Sequence, residues 1–115
     1  MKYIIYHNPR CSKSRQTLAL LQQHGIEAEI IEYLNEPPDA DTLRRIVKKL
    51  GLTPHELLRT KEKIYKELGL ADSSATDAEL LDIMAENPIL IERPIVVHGN
   101  RAVIGRPPEN VLELL

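Results

Sequence analysis

Residues 2–34 read KYIIYHNPRCSKSRQTLALLQQHGIEAEIIEYL, and this stretch decides the fold. Lys2–Tyr6 is a short β-rich apolar run, which is typical of a buried strand. From Ser12 the pattern becomes helical, and Gly25 supplies a C-terminal stop. Glu27–Leu34 is a second strand candidate. Strand, helix and strand at this spacing predict a βαβ unit with parallel strands and a right-handed crossover.

The chain that follows predicts a block of helices from about residue 39 to 87. Asp39 can cap a helix that ends at Gly51. Capping boxes at Thr53 and Thr76 predict two further helix starts. A short charged helix is predicted over Lys61–Leu68.

After this block the strand pattern returns. Pro94–Val97 and Arg101–Ile104 flank a turn at residues 98–100 and predict a hairpin. Glu109–Leu115 predicts a short terminal helix. We therefore expect an α/β fold in one domain, residues 1–115, with a four-stranded mixed sheet (β-α-β, then β-β-α) and a helical insertion at about 39–87.

Composition narrows the class of protein. With 115 residues and no Phe or Trp, the chain predicts one domain with an aliphatic core. A net charge of −2 argues against nucleic-acid binding by bulk charge. The apolar run Tyr3–Tyr6 is too short for a signal peptide or a membrane span, so we expect a cytoplasmic protein, and a monomer by default.

The one cysteine of the chain, Cys11, is the leading candidate for chemistry. A single cysteine excludes an internal disulfide and a cysteine-rich zinc site, and this low cysteine content fits a reducing compartment. Cys11 lies between a strand end and a helix start, where unpaired N–H groups and the helix dipole stabilise a thiolate or an anion. Arg10, Lys13 and Arg15 add positive charge, and Ser14 can donate a hydrogen bond to the thiolate or to a bound oxyanion. A free cysteine packed as a small hydrophobe is the alternative, which this polar surrounding disfavours.

The sequence context alone does not assign a role to the histidines or to three further arginines. His7 can support the thiolate or face water. His24, His55 and His98 have no ligand-like spacing, so no metal site is expected. Arg59, Arg93 and Arg106 singly resemble solvated arginines, and the sequence alone does not gather them around Cys11, although guanidinium groups suit a tetrahedral oxyanion.

The motifs HNPRCSKSR, LLRTKE, ILIERPIVV and IGRPPE, in this order, resemble the glutaredoxin-dependent arsenate reductase family over essentially the whole chain. That resemblance implies a thioredoxin-like fold with a helical insertion. It implies that Cys11 is the nucleophile and that Arg59, Arg93 and Arg106 bind the oxyanion. It further implies that His7 and Ser14 support a low thiol pKa, and that the bond before Pro94 is cis and sets the Arg93 backbone beside the cysteine loop.

The resemblance also implies a reaction. Cys11 attacks arsenate to give a covalent thioarsenate, and glutathione, a co-substrate, then releases arsenite. The resulting mixed disulfide on Cys11 is reduced by glutaredoxin, with no tightly bound cofactor. Ser14 occupies the place of the second cysteine of a CxxC motif, so the resolving thiol must come from outside the chain.

Three other functions stay open at this point. The protein could be a glutathione-linked thiol oxidoreductase of another substrate, although that chemistry does not need three arginines. It could be a redox regulator that binds RNA polymerase, which Ser14 in place of a second cysteine weakens. It could also be a scaffold with a vestigial site, since fold does not fix function.

Overall fold

The computed structural model describes all 115 residues. They form two compact units, one from residues 1–36 with 93–115 and one from residues 37–92. The first unit contains the strands β1 (Tyr3–His7), β2 (Glu29–Glu32), β3 (Ile95–His98) and β4 (Arg101–Ile104) and the helix α1 (Ser12–Gln23). The second contains the helices α2 (Ala40–Leu50), α3 (Lys63–Glu67) and α4 (Asp77–Glu86), with three short 3-10 turns.

The four strands form one mixed sheet in the order β2-β1-β3-β4. β1 pairs in parallel with β2 and antiparallel with β3, and β3 pairs antiparallel with β4. Both the parallel βαβ pairing and the β3–β4 hairpin predicted from the sequence are confirmed. Gly99 takes a φ of +62° in the hairpin turn, which glycine adopts at little cost.

The core of the sheet unit is aliphatic, as the composition predicted. Ile5, Leu21, Val96 and Val111 are fully buried, and Leu114 packs with them. They come from β1, α1, β3 and the C-terminal turns, so α1 and the C-terminal segment are both fixed to the sheet. This packing positions the start of α1, where the candidate cysteine lies.

In the helical unit, α2 and α4 begin at the capping residues that the sequence predicted. The Asp39 carboxylate accepts a hydrogen bond from the Thr42 N–H, and Gly51 ends α2 in the left-handed region. The capping box of Thr76 and Glu79 is complete at the start of α4. The buried residues of the two helices are Leu43, Ile46, Val47, Leu80, Leu81 and Met84.

Some predicted element bounds were wrong. The Thr53–Glu56 box forms its hydrogen bonds, but only one 3-10 turn, His55–Leu57, follows it. That turn stops because the next backbone groups pair elsewhere: Leu58 bridges Ile91, and the Leu57 carbonyl accepts from Glu92 N–H. The C-terminal helix is also 3-10, over Pro108–Leu114. β2 is shorter than its apolar run.

Candidate active site

Cys11 occupies the N-cap position of α1 with an extended backbone (φ −95°, ψ 122°). Its N–H donates to the Asn8 carbonyl at 3.0 Å, which folds residues 8–11 into a tight loop at the end of β1. The first turn of α1 contains no acidic residue, so no carboxylate offsets the positive end of the helix beside the sulfur. The Cys11 side chain is only 9% exposed.

Two of the three predicted arginines reach this sulfur. Arg106 Nη2 lies 3.6 Å from Cys11 Sγ, and its Nε donates to the Arg93 carbonyl at 2.8 Å. The Arg93 side chain also hydrogen-bonds the Cys11 sulfur. The Arg93–Pro94 peptide bond is cis, as the resemblance implied, and so is the Arg106–Pro107 bond. Arg93, the second residue before β3, and Arg106, the second residue after β4, thus meet the start of α1 at one point.

The surroundings of Cys11 favour its ionised form. Burial opposes ionisation and by itself would raise the pKa of the thiol. The Ser14 N–H, the hydrogen bond and charge of Arg93, and the Lys13 N–H act in the other direction. They outweigh burial, so the pKa of Cys11 lies below its ordinary value. A thiolate is the nucleophilic form of cysteine, so this site is prepared for attack on an electrophile.

The side chains of Ser14 and His7 bond to each other and to the cysteine loop, and the Ser14 hydroxyl does not bond to the sulfur. Ser14 Oγ lies 2.6 Å from His7 Nδ1 and accepts the Asn8 N–H at 3.0 Å. Burial lowers the pKa of His7, the Glu32 charge opposes this, and the Arg15 charge adds to it. The neutral ring can accept the Ser14 proton at Nδ1. The Ser14 hydroxyl is therefore committed to the loop, and the Ser14 group that reaches Cys11 is its backbone N–H.

Several positioning residues were not singled out by the sequence. Thr17 Oγ1, fully buried, donates to the carbonyl oxygens of Lys13 at 2.8 Å and Gly105 at 3.4 Å. Asn110 Nδ2 donates to the Arg106 carbonyl at 3.0 Å. These bonds fix the chain on both sides of Arg106. The available signal was Gly105 directly before that arginine, because a glycine at a strand end often marks a close backbone approach.

Arg59 belongs to the helical unit. Its Nε pairs with Glu62 at 3.0 Å and its Nη1 with Glu92 at 2.7 Å. Burial alone would lower the pKa of Arg59, but these two carboxylates outweigh it and raise the pKa, so the guanidinium stays charged. The expected role of Arg59 in oxyanion binding stays a prediction.

Neither a metal cluster nor a membrane span is found in the chain. No group of three or more His, Cys, Asp or Glu side chains is arranged to hold a metal ion. None of the helices combines the length and the apolar character needed to cross a bilayer.

Fold and site together define a thioredoxin-like α/β protein with one activated cysteine at a helix start, faced by arginine side chains. Residues 6–114 match the model of the ArsC family, and the chain belongs to this family. An arsenate reductase of Haemophilus influenzae is 50% identical to it, with both chains fully covered. An uncharacterised Escherichia coli protein, YfgD, is 57% identical over 96% of this chain and 94% of its own length.

Solved structures agree with this membership. An arsenate reductase from Vibrio cholerae superposes with a TM-score of 0.96 at 52% identity, covering 100% of this chain and 98% of its own. The thioredoxin-like fold with a helical insertion, expected from the sequence, is therefore confirmed.

Proposed function

We propose that this protein reduces arsenate to arsenite through a covalent intermediate on Cys11, with glutathione and glutaredoxin as the reductants. The observation that carries the proposal is the Cys11 sulfur at a helix start, with a lowered pKa and with Arg93 and Arg106 beside it. Two permanently charged guanidinium groups suit a bound anion with several oxygens.

The first step is nucleophilic attack on arsenic. The Cys11 thiolate forms an S–As bond and one As–OH bond breaks, and the hydroxyl group takes up a proton and leaves as water. Arg93 and Arg106 offset the charge that collects on the arsenate oxygens. Arg59 is the third proposed anion ligand: Glu62 and Glu92 hold its Nε and Nη1, which leaves Nη2 for an oxygen.

The second step transfers two electrons to arsenic. A glutathione thiolate attacks the Cys11 sulfur, an S–S bond forms, and the S–As bond breaks with its electron pair on arsenic. As(V) becomes As(III) and leaves as arsenite, while the two sulfurs become a mixed disulfide. Glutaredoxin then attacks the glutathione sulfur, and the Cys11 thiolate is regenerated.

The cysteine content of the chain supports an external reductant. No second cysteine is present to resolve the intermediate, so an external thiol is needed. We place the reaction in the cytoplasm, where thiols are kept reduced, and we take a monomer as the active form.

A coupled assay with arsenate, glutathione, glutaredoxin and glutathione reductase tests the proposal. Wild-type protein should turn over, and Cys11→Ser should reduce the rate to the uncatalysed level without loss of fold. Phosphate should slow the alkylation of wild-type Cys11 by iodoacetamide, because it occupies the anion site. Turnover by Cys11→Ser would refute the assignment of the nucleophile. Turnover with a disulfide substrate but none with arsenate would favour the general thiol oxidoreductase.

A further inference from the structure

A recess with both polar and apolar walls adjoins the cysteine loop at the ends of the parallel strands β1 and β2. It has a volume of about 380 Å³ and is lined by the loop His7–Arg10 on one side and by Glu32, Leu34 and Asn35 on the other. His7 and Glu32 face each other in the strand register, so the recess opens where the two strands end and their loops diverge.

The recess carries one charge of each sign. Arg10 is exposed, and only its backbone N–H is hydrogen-bonded within the chain, to Asn8 Oδ1. Glu32 also lines the recess, and its carboxylate accepts only a long hydrogen bond from Asn35, at 3.4 Å. Arg10 therefore has its guanidinium available for a carboxylate, and Glu32 has carboxylate oxygens available for an ammonium group. Side-chain amides and the exposed Leu34 complete the wall.

We infer that this recess binds glutathione, with Arg10 on its γ-glutamyl carboxylate and Glu32 on its ammonium group. The inference rests on the proposed function, which requires glutathione to reach the Cys11 sulfur. A site of this volume lies within the usual range for small ligands. The loop that lines it leads directly to Cys11, whose N–H bonds to the Asn8 carbonyl at 3.0 Å. Four of the seven lining residues directly precede Cys11 in the chain, so a glutathione held there would lie beside the loop that carries the nucleophile.

The reaction of Cys11 with oxidised glutathione tests this placement without arsenate. The thiolate attacks one sulfur, the S–S bond breaks, and one glutathione thiolate leaves. Arg10→Ala should slow this step roughly five- to tenfold, the effect of losing one charge-assisted hydrogen bond at an exposed site. Iodoacetamide and bis(2-hydroxyethyl) disulfide, which carry no charge, should be slowed clearly less than oxidised glutathione, because a loss of thiolate affects all three reagents equally. Arg45→Ala is the matched control, because Arg45 is an exposed arginine of the helical unit.

Glu32→Gln distinguishes specific binding of the ammonium group from a general attraction of the anionic reagent by positive charge. Oxidised glutathione is a net anion, so removal of a nearby carboxylate should speed its reaction if only bulk charge matters. If Glu32 binds the ammonium group, the same change should slow the reaction roughly threefold or more. Glu36→Gln removes an exposed carboxylate that does not line the recess and should not slow it. The aromatic disulfide of 2-nitro-5-thiobenzoate, an anion without ammonium groups, should not be slowed by Glu32→Gln.

Three results would overturn the inference: unchanged glutathione rates in both recess variants, a faster rate in Glu32→Gln, or an equal slowing with charged and neutral reagents. The arsenate assay is read independently. If wild-type protein reduces arsenate but the recess variants leave the glutathione rate unaltered, only the recess fails. If wild-type protein does not reduce arsenate while Arg10→Ala and Glu32→Gln slow glutathionylation selectively, the proposed function fails and the recess stands.

Discussion

Gly105→Ala should damage the cysteine site from a position that does not touch the sulfur. An added Cβ would lie 2.9 Å from Pro94 Cγ and 3.0 Å from Thr17 Cγ2, and it would collide with Thr17 Oγ1. Non-bonded carbon atoms prefer separations of about 3.5–4.0 Å, so Thr17 or the backbone must move. Thr17 is fully buried and its hydroxyl is held by the Lys13 carbonyl. Overpacking of this kind costs about 2 kcal/mol, or about 8 °C in Tm for a domain of this size.

The same displacement should raise the pKa of the Cys11 thiol towards its ordinary value. Arg106 follows Gly105 directly, and Arg93 precedes Pro94, so both guanidinium groups should shift from Cys11. We expect iodoacetamide alkylation to require a higher pH than in the wild type. Thermal unfolding followed by circular dichroism, together with alkylation rates against pH, measures both effects.

Two comparisons make this prediction refutable. Gly25→Ala meets no neighbouring atom but has a φ of +74°, so it should cost about 1 kcal/mol and leave the alkylation profile unchanged. In a Thr17→Ala background the cost of Gly105→Ala should fall, because two of the three close contacts are gone. An equal cost in both backgrounds, or an unchanged alkylation profile, would show that the argument from packing is wrong.

Two further predictions concern stability. The pKa of His7 is lowered in the fold, so below about pH 6.5 the unfolded chain binds a proton that the folded chain resists, and stability should fall as the pH decreases. His7→Gln should flatten this dependence in urea unfolding between about pH 5 and 8, and parallel curves would contradict the prediction. Thr76→Ala should cost about 1 kcal/mol by opening the capping box of α4. Thr60→Ala, at an exposed threonine, should cost almost nothing in the same thermal melts.

The fold was largely predictable because local signals and tertiary packing agree along most of the chain. The apolar run at β1, the glycine that ends α2 and the box that opens α4 all specify what forms there. The Thr53 box shows where such reasoning fails. Its two side chains bond as predicted, but pairing of Leu58 with Ile91 takes the backbone out of the helix after one turn. A long-range partner of this kind cannot be read from a local pattern.

The site was predictable in part for a different reason. The chemistry of Cys11 follows from its position between a strand and a helix, so local residues suffice to suggest a thiolate. The arrangement of Arg93 and Arg106 depends on two strand ends that are far from Cys11 along the chain, and only the family resemblance suggested it. The hydrogen bond between Ser14 and His7 was not predicted. The sequence allowed the Ser14 hydroxyl to point towards the Cys11 sulfur or towards the loop, and only the packing of the fold selects the loop.

The buried hydroxyl of Ser14 has a consequence for how such proteins can evolve. A cysteine at position 14 would supply the internal resolving thiol that the chain lacks. Sulfur is larger than oxygen and a weak acceptor, so that single exchange would disturb both His7 and the Asn8 N–H, the contacts that shape the nucleophile's loop. An internal resolving thiol would therefore require compensating changes around this loop, and the disulfide it formed with Cys11 would still need an external reductant. Under the proposed function, Ser14→Cys alone would therefore not free the reaction from an outside thiol.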